Sequence, residues 1–328
     1  MKRIFYFSLF TVCCLCMFPA KGFSLQRVSG TFFQTTKAVH GWTDDEWNTL
    51  FKTYKQLGIQ EIIVQWTIYE DAYAQTDTEN IEPSLETFKV LLSNAEANGI
   101  RVTVGGLFLS SYWERIKAEP DLIKVHLLRI RRGTVEAITQ LAPVLAKSPS
   151  FAGWYISQEI DDRTWLNPTN REILCEFIAG LRHDLDSLIP EKPISISAFS
   201  NGWASPEKLG KFWCTVAEKT GLERVLFQDG VGAKKLMPSE VSLYLKGMQQ
   251  EVASTACTIQ PVVELFAQQE GTDFKAVPAP LKRIKQQLAV EVPYAPQGVI
   301  LFSVTEYMSP LGGEKASKLL QEVLASQP

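Results

Sequence analysis

Short apolar runs rich in β-branched and aromatic residues recur along the chain, and each is followed by a polar, aromatic-containing loop and an amphipathic segment. Runs of this composition are typical of strands buried in a sheet, and the 3.6-residue periodicity of the segments between them is typical of helices. The pattern predicts strands at eight places, namely residues 30–34, 61–67, 101–108, 151–157, 193–199, 224–229, 257–265 and 298–304.

Local signals mark the ends of several predicted helices. Thr43 followed by Glu46 forms a capping box, and Ser205 followed by proline is a typical helix start. Gly58 and Gly99 stand just before predicted strands, where a helix would end. One predicted helix carries an apolar stripe formed by Leu174, Phe177, Ile178, Leu181 and Leu185.

The alternation of strands and helices predicts a parallel sheet. Eight such units close naturally into a single (β/α)8 TIM barrel with parallel strands, and about 300 residues is an ordinary length for that fold. A doubly wound open sheet is the alternative. It is less favoured because no glycine-rich phosphate loop follows the first predicted strand.

The first residues have the layout of a secretory signal peptide. Lys2 and Arg3 precede an apolar run at residues 4–18, and small residues follow it. We therefore expect residues 1–22 to be a signal peptide and residues 23–328 to form the barrel domain, in the periplasm or outside the cell. The run is shorter than the roughly 20 residues of a spanning helix, so an uncleaved anchor is less favoured and no membrane span is expected after cleavage.

Charge and motif content narrow the chemistry. The chain has a net charge of -3, which gives no support for nucleic-acid binding. No metal-ligand spacing surrounds its three histidines, and no phosphate-binding loop or serine-hydrolase elbow is present, so neither a metal nor a cofactor is predicted. Cys175 and Cys214 are the one pair worth testing as a disulfide, although buried free thiols are the favoured interpretation.

Acidic residues gather where predicted strands end, which is where TIM barrels place their active sites. Glu159 ends the fourth strand and Glu264 the seventh. If side chains alternate across each strand, both point into the barrel from roughly opposite sides. Two carboxylates, one protonated and one ionised, are what glycosidic-bond cleavage needs. Asp229 and Glu306, at the ends of the sixth and eighth strands, could replace either partner.

Aromatic and amide side chains accompany these acids. Flat apolar rings can stack on sugar C–H faces, while hydroxyls need polar partners. The predicted substrate-binding residues are Gln65, Trp66, Trp113, Gln158, Trp203, Asp229, Glu306 and Tyr307. Several of these rings could instead cap the barrel, and Glu159 could form a structural ion pair with Arg163.

The motifs YISQEID and PVVELF resemble those of the large clan of retaining glycoside hydrolases built on (β/α)8 barrels. The resemblance implies an acid/base role for Glu159 and a nucleophile role for Glu264. That clan usually has asparagine before the acid/base glutamate, where this chain has Gln158, and Tyr307 only loosely matches its aromatic residue on strand eight. More narrowly, GWYISQEID with FQDGVG resembles a secreted bacterial family known as domain of unknown function 4434.

These features together predict a secreted glycoside hydrolase that cleaves a poly- or oligosaccharide by a retaining two-carboxylate mechanism. A non-catalytic carbohydrate-binding barrel is the first alternative, since Gln158 and Tyr307 depart from the clan pattern. An envelope scaffold whose exposed aromatic residues contact a protein partner is the second.

Overall fold

A computed structural model of the protein describes residues 27–71, 80–271 and 275–327. Eight parallel strands close into a barrel. These are β1 (Val28–Phe33), β2 (Glu61–Val64), β4 (Arg101–Gly105), β6 (Phe151–Ile160), β7 (Ile194–Ala198), β8 (Arg224–Gln228), β9 (Thr258–Glu264) and β12 (Val299–Phe302). Around the barrel they follow the order β1-β12-β9-β8-β7-β6-β4-β2. The predicted TIM barrel is confirmed.

Each barrel strand is followed by a long helix. The eight helices that cover the barrel within the described residues are α2 (Asp44–Leu57), α3 (Leu85–Ala97), α5 (Pro120–Leu145), α6 (Pro168–Leu188), α7 (Pro206–Thr220), α8 (Pro238–Val252), α9 (Leu281–Glu291) and α11 (Glu314–Ala325). Their apolar faces pack on the outward side chains of the strands and form the main core.

Short elements decorate the carboxyl ends of the strands. Strands β3 (Ile68–Glu70) and β5 (Leu107–Leu109) pair with each other, as do β10 (Phe266–Gln268) and β11 (Ala276–Pro278). Three four-residue α-helices also lie in the described residues, α1 (Lys37–His40), α4 (Tyr112–Arg115) and α10 (Val304–Tyr307). Two short 3-10 helices lie at Val292–Tyr294 and Pro310–Gly312.

The predicted helix ends agree with the structure. Thr43 and Glu46 form the reciprocal capping box of α2, and Ser205 caps α7 through the Lys208 N–H. Gly58 ends α2 with φ +73°, a left-handed conformation that favours glycine. The predicted apolar stripe is the buried face of α6.

The barrel interior is built in layers, as expected when side chains alternate along tilted strands. An apolar middle layer is formed by Phe32, Ile63, Tyr155, Leu226, Val262 and Ile300. Below it, the Arg224 guanidinium donates to both carboxylate oxygens of Glu61, at 2.8 and 2.7 Å. This buried ion pair closes the amino-terminal end of the barrel.

Two expectations concern the ends of the molecule and its cysteines. The predicted signal peptide, residues 1–22, lies outside the described residues. Within the described ranges, no helix has the length and apolarity to cross a membrane. Cys175, Cys214 and Cys257 are free thiols, so the structure contains no Cys175–Cys214 disulfide.

Candidate active site

Glu159 lies near the end of β6, where the strand is irregular. The pairing of β6 with β7 passes directly from Ile156–Ile196 to Glu159–Ser197, which places two extra residues in β6. Because two is an even number, the inward and outward alternation survives the irregularity. Glu159 therefore faces inward, where its Oε1 accepts a 2.7 Å hydrogen bond from Nε2 of Gln228.

Burial raises the pKa of the Glu159 carboxyl above its ordinary value. The hydrogen bond from Gln228 and the positive charge of Lys235 oppose that rise without cancelling it. Glu159 is thus biased toward its protonated form, which is the state a general acid needs. The structural ion pair with Arg163 considered above is not formed, since Arg163 lies over the Trp203 ring.

Glu264 ends β9 and also faces the barrel interior, in line with Gln260 and Val262 on the same side of the strand. Its side chain is only 4% exposed. The backbone N–H of Ala233 donates to Oε2 at 2.9 Å. A Cβ at Gly232 would stand 2.8 Å from that oxygen and 2.4 Å from the Phe266 carbonyl, so glycine is needed for the loop to pass this closely.

The electrostatic surroundings of Glu264 differ from those of Glu159. Burial, and then the negative charge of Asp229, raise the pKa of Glu264 to about 8. The N–H groups of Ala233 and Gly232 and the charge of Lys235 act in the opposite direction, because they favour the carboxylate.

Lys235 connects the two glutamates electrically, since its charge lowers the pKa of both. Its Nζ stands 3.2 Å from the centroid of the Phe199 ring. Desolvation lowers the pKa of Lys235, and the charges of Glu159 and Glu264 partly restore it. A single cation therefore stabilises the ionised form of whichever carboxyl loses its proton.

A buried carboxyl pair lies behind Glu264, on the helical side of the barrel wall. Asp229 is fully buried and accepts hydrogen bonds from the Val231 N–H and from Nε2 of Gln287 on α9. Glu291, also on α9, has both carboxyl oxygens buried without a donor, and it lies beside Asp229, so a hydrogen bond between the two carboxyls requires a proton on one of them. Burial, followed by the charge of Asp229, raises the pKa of Glu291 well above its ordinary value.

The structure therefore does not bring Asp229 together with Glu159 and Glu264 in the barrel mouth. Along β8, Leu226 faces the interior and Phe227 faces the helices. Alternation then turns Gln228 inward and Asp229 outward. A substrate contact by Asp229 would require its buried carboxylate to leave Gln287.

An open cleft of about 420 Å³ lies at the carboxyl ends of the strands. Its walls are formed by Trp113, Lys117, Asp161, Arg163, Thr164, Phe199, Asn201, Trp203 and Lys235. Two predicted aromatic residues, Trp113 and Trp203, thus line it, and Trp203 is 63% exposed. An exposed tryptophan in a cleft offers the apolar face that a sugar ring needs.

The loop that carries Trp203 is held by one buried carboxylate. Asp162 is fully buried, and its Oδ2 accepts from the hydroxyl of Ser200 at 2.7 Å and from the N–H of Trp203 at 2.7 Å. Its oxygens also accept the N–H groups of Asn201 and Ala204. This acid at the end of β6 has a structural role in shaping the cleft wall.

The other predicted residues fall in three places. Gln65 is buried on the inward face above Ile63 and accepts from Nε2 of Gln34 at 2.8 Å. Trp66 packs against the rings of Tyr69 and Phe108. Gln158 points away from the interior and donates to the Leu107 carbonyl at 2.8 Å, so sugar contacts by Gln158 and Trp66 stay predictions.

Glu306 and Tyr307 lie after β12. The half-buried Glu306 accepts a hydrogen bond from the Ser303 hydroxyl, and burial raises its pKa. Tyr307 packs on Phe266, with ring centroids 5.6 Å apart. Burial, then the charges of Glu306 and Glu264, raise the pKa of Tyr307 to about 12, so this phenol lies close enough to Glu264 to sense its charge.

Sequence reasoning missed Lys235, Phe199 and Gln228 as parts of the site. Lys235 belongs to the segment GVGAKK, which lacks the terminal Ser/Thr and the spacing of a phosphate-binding loop. The available signal was its position seven residues after the inward Gln228, within a strand-end loop of a predicted barrel.

The fold is shared with enzymes that act on sugars. A structure from Bacteroides thetaiotaomicron described as a "putative alpha-L-fucosidase" superposes with a TM-score of 0.71 at 17% identity, covering 92% of this chain and 95% of that one. An endo-1,4-beta-D-mannanase from Thermotoga petrophila superposes with a TM-score of 0.57 at 9% identity, covering 84% and 88%. At these identities the likeness shows the fold alone, a TIM barrel.

The chain belongs to the family described as "Domain of unknown function (DUF4434)", whose model matches residues 28–312. It is also 29% identical over 249 residues to "Uncharacterized protein YbcH" of Escherichia coli (strain K12), a match that covers 75% of this chain and 79% of that protein. The family resemblance carried by GWYISQEID and FQDGVG is thereby confirmed.

Proposed function

We propose that the protein is a secreted glycoside hydrolase acting on a poly- or oligosaccharide. The observation that carries the proposal is the placement of Glu159 and Glu264 on inward faces of the barrel, at the same mouth and under the charge of one lysine, Lys235. Cleavage of a glycosidic bond needs one proton donor and one carboxylate, and this pair supplies both.

In the proposed mechanism, Glu159 donates its proton to the glycosidic oxygen as that bond breaks. Glu264, in its ionised form, attacks the anomeric carbon and forms a glycosyl-enzyme ester, which retains configuration overall. Glu159 then removes a proton from water, which attacks the anomeric carbon and releases Glu264. The N–H groups of Gly232 and Ala233 hold the carboxylate in place for attack.

The role assignment follows the contacts of each acid. Burial and Asp229 raise the pKa of Glu264 to about 8, but the N–H groups of Ala233 and Gly232 and the charge of Lys235 all favour its ionised form, which is the form that attacks the sugar. Glu159 accepts one amide hydrogen bond and has a raised pKa, which suits a residue that must alternate between acid and base. Substrate entry through the cleft of Trp113 and Trp203 would further exclude water from both.

The test is a glycan hydrolysis screen with wild type, Glu159→Gln and Glu264→Gln. Each substitution preserves shape but removes the transferable proton or the nucleophile, so turnover should fall roughly a hundredfold or more. Glu322→Gln, an exposed change on α11, is the matched control and should leave turnover unchanged. Circular dichroism would verify that all three variants fold.

Turnover at the wild-type rate in both active-site variants would contradict the proposal. Measurable glycan binding by calorimetry without any product, on long incubation of the wild type, would instead indicate a non-catalytic carbohydrate-binding barrel. An anomeric product of inverted configuration would retain the hydrolase and reject the nucleophile role of Glu264.

A further inference from the structure

The cleft beside the two glutamates carries an excess of positive charge. Among its lining residues are three basic side chains, Lys117, Arg163 and Lys235, and one acid, Asp161. The whole chain has a net charge of -3, so this concentration of cations is a local feature and not a sample of a basic surface.

The one acid in the lining of the cleft, Asp161, already accepts hydrogen bonds from the backbone. Asp161 is 6% exposed, and its Oδ1 accepts the backbone N–H groups of Arg163 and Thr164, each at 2.6 Å. These bonds belong to the turn that ends β6. The carboxylate therefore has a structural role there and does little to neutralise cations that project into the open cleft.

Two of the three cations are held against aromatic walls. The Arg163 guanidinium carbon lies 4.7 Å from the centroid of the Trp203 ring, and Lys235 Nζ lies over Phe199. Cation–π contacts position a charge without using its hydrogen-bond donors. Within the described chain, none of the three basic groups forms an ion pair with a carboxylate within 4.0 Å, so their donors are available to a ligand.

We propose that the cleft selects acidic carbohydrate, in which sugar carboxylate or sulfate groups are bound by Lys117, Arg163 and Lys235. This inference rests on the proposed function and names its substrate class. A neutral glycan needs no cations for recognition, whereas planar carboxylate and sulfate groups match the fork of an arginine and the point charge of a lysine.

The same three basic residues also reduce the repulsion between an acidic sugar and the glutamates of the site. An acidic sugar brought near Glu264 would be repelled by that carboxylate when it is ionised. The charge of Lys235 already acts on both Glu159 and Glu264, and Arg163 and Lys117 add two further positive charges to the lining of the same cleft. The three cations thus attract an acidic glycan to the barrel mouth and offset its repulsion by Glu264.

The experiment measures binding to oligosaccharides in matched pairs, with Glu159→Gln protein used so that bound glycans are not consumed. One arm pairs uronate-containing oligosaccharides with their carboxyl-reduced forms, and the other pairs sulfated oligosaccharides with their desulfated forms. In the arm whose acidic group, carboxylate or sulfate, is that of the natural substrate, we expect the charged oligosaccharide to bind at least roughly tenfold more tightly than its neutral form. This difference in affinity should decline as salt is added.

Lys117→Gln/Arg163→Gln, introduced into the same background, tests the residues. The charged member should lose most of its advantage, while binding of the neutral member changes by no more than about twofold, because neutral contacts are unaffected. Lys52→Gln/Lys55→Gln is the control, since it removes two exposed charges on α2 outside the cleft and should leave the preference intact.

The outcomes separate this inference from the function it rests on. Equal binding of charged and neutral members, or a preference that survives Lys117→Gln/Arg163→Gln, would overturn the acidic-carbohydrate assignment and leave the hydrolase standing if neutral glycans are cleaved. Binding of acidic glycans that wild type never cleaves would overturn the hydrolase alone. Neither binding nor cleavage of any glycan would overturn both.

Discussion

Gln228 and Glu159 are hydrogen-bonded inside the barrel, from Nε2 to Oε1 at 2.7 Å, although their strands are not neighbours. Glu159 belongs to β6 and Gln228 to β8, and β7 lies between them. The contact exists because both side chains project inward above the apolar middle layer. It ties the proposed acid to a defined rotamer at the floor of the site.

Replacing Gln228 by methionine, which has a similar shape, should impair the proposed acid. In the wild type, the hydrogen bond from Gln228 favours the ionised form of Glu159. Its removal should therefore raise the pKa of Glu159 further. The alkaline limb of the pH–rate profile, which reports loss of the acid's proton, should move to higher pH, and kcat/KM should fall roughly tenfold through poorer positioning. Gln286→Met, on the exposed face of α9, should change neither.

Replacing Asp229 by asparagine should move the acidic limb of the pH–rate profile. The negative charge of Asp229 helps raise the pKa of Glu264 to about 8, and asparagine removes that charge while keeping acceptor and donor atoms. The pKa of Glu264 should fall, so the acidic limb of the pH–rate profile should shift to lower pH. An unmoved limb, or the same shift in the exposed Asp45→Asn variant, would show that Asp229 does not act through Glu264.

The free energy of unfolding should decrease as pH rises through the region where the buried carboxyls of Glu264 and Glu291 ionise. Their folded-state pKa values are raised, so their contribution is fully present below about 4.5, the ordinary glutamate value, and is lost as pH approaches 8, the value for Glu264. Glu291→Gln cannot ionise and should gain stability relative to wild type as pH rises. Urea unfolding between about pH 5 and pH 8 measures this difference; a constant difference would refute it.

Removing one partner of the Arg224–Glu61 ion pair, at the amino-terminal end of the barrel, should destabilise the fold. Burial alone would raise the pKa of Glu61, but the hydrogen bonds and charge of Arg224, followed by the hydrogen bond from Thr103 and the charge of Arg101, lower it below its ordinary value. Arg224→Met leaves the carboxylate buried without its main partner and should cost about 3–5 kcal/mol in urea unfolding. The double variant Glu61→Gln/Arg224→Met should recover part of this loss, whereas strict additivity would argue against a coupled pair.

Much of the fold was determined by the sequence pattern. The eight predicted strands coincide with the eight barrel strands within a few residues, because parallel strands covered by helices must be apolar on both sides and each is bounded by helix caps and polar loops. Where the second predicted strand, 61–67, extends past β2, which ends at Val64, the residues beyond are buried for other reasons. Thr67, for example, donates to the Gly105 carbonyl.

The sequence also located the two proposed catalytic acids, since parity along a strand places Glu159 with Tyr155 and Glu264 with Val262. It could not choose between adjacent polar residues, because facing depends on the strand register. That register turns Gln228 into the barrel and Asp229 toward α9. The carboxyl pair with Glu291 and the position of Lys235 over Phe199 were decided only by the tertiary structure, because they join segments far apart in the chain.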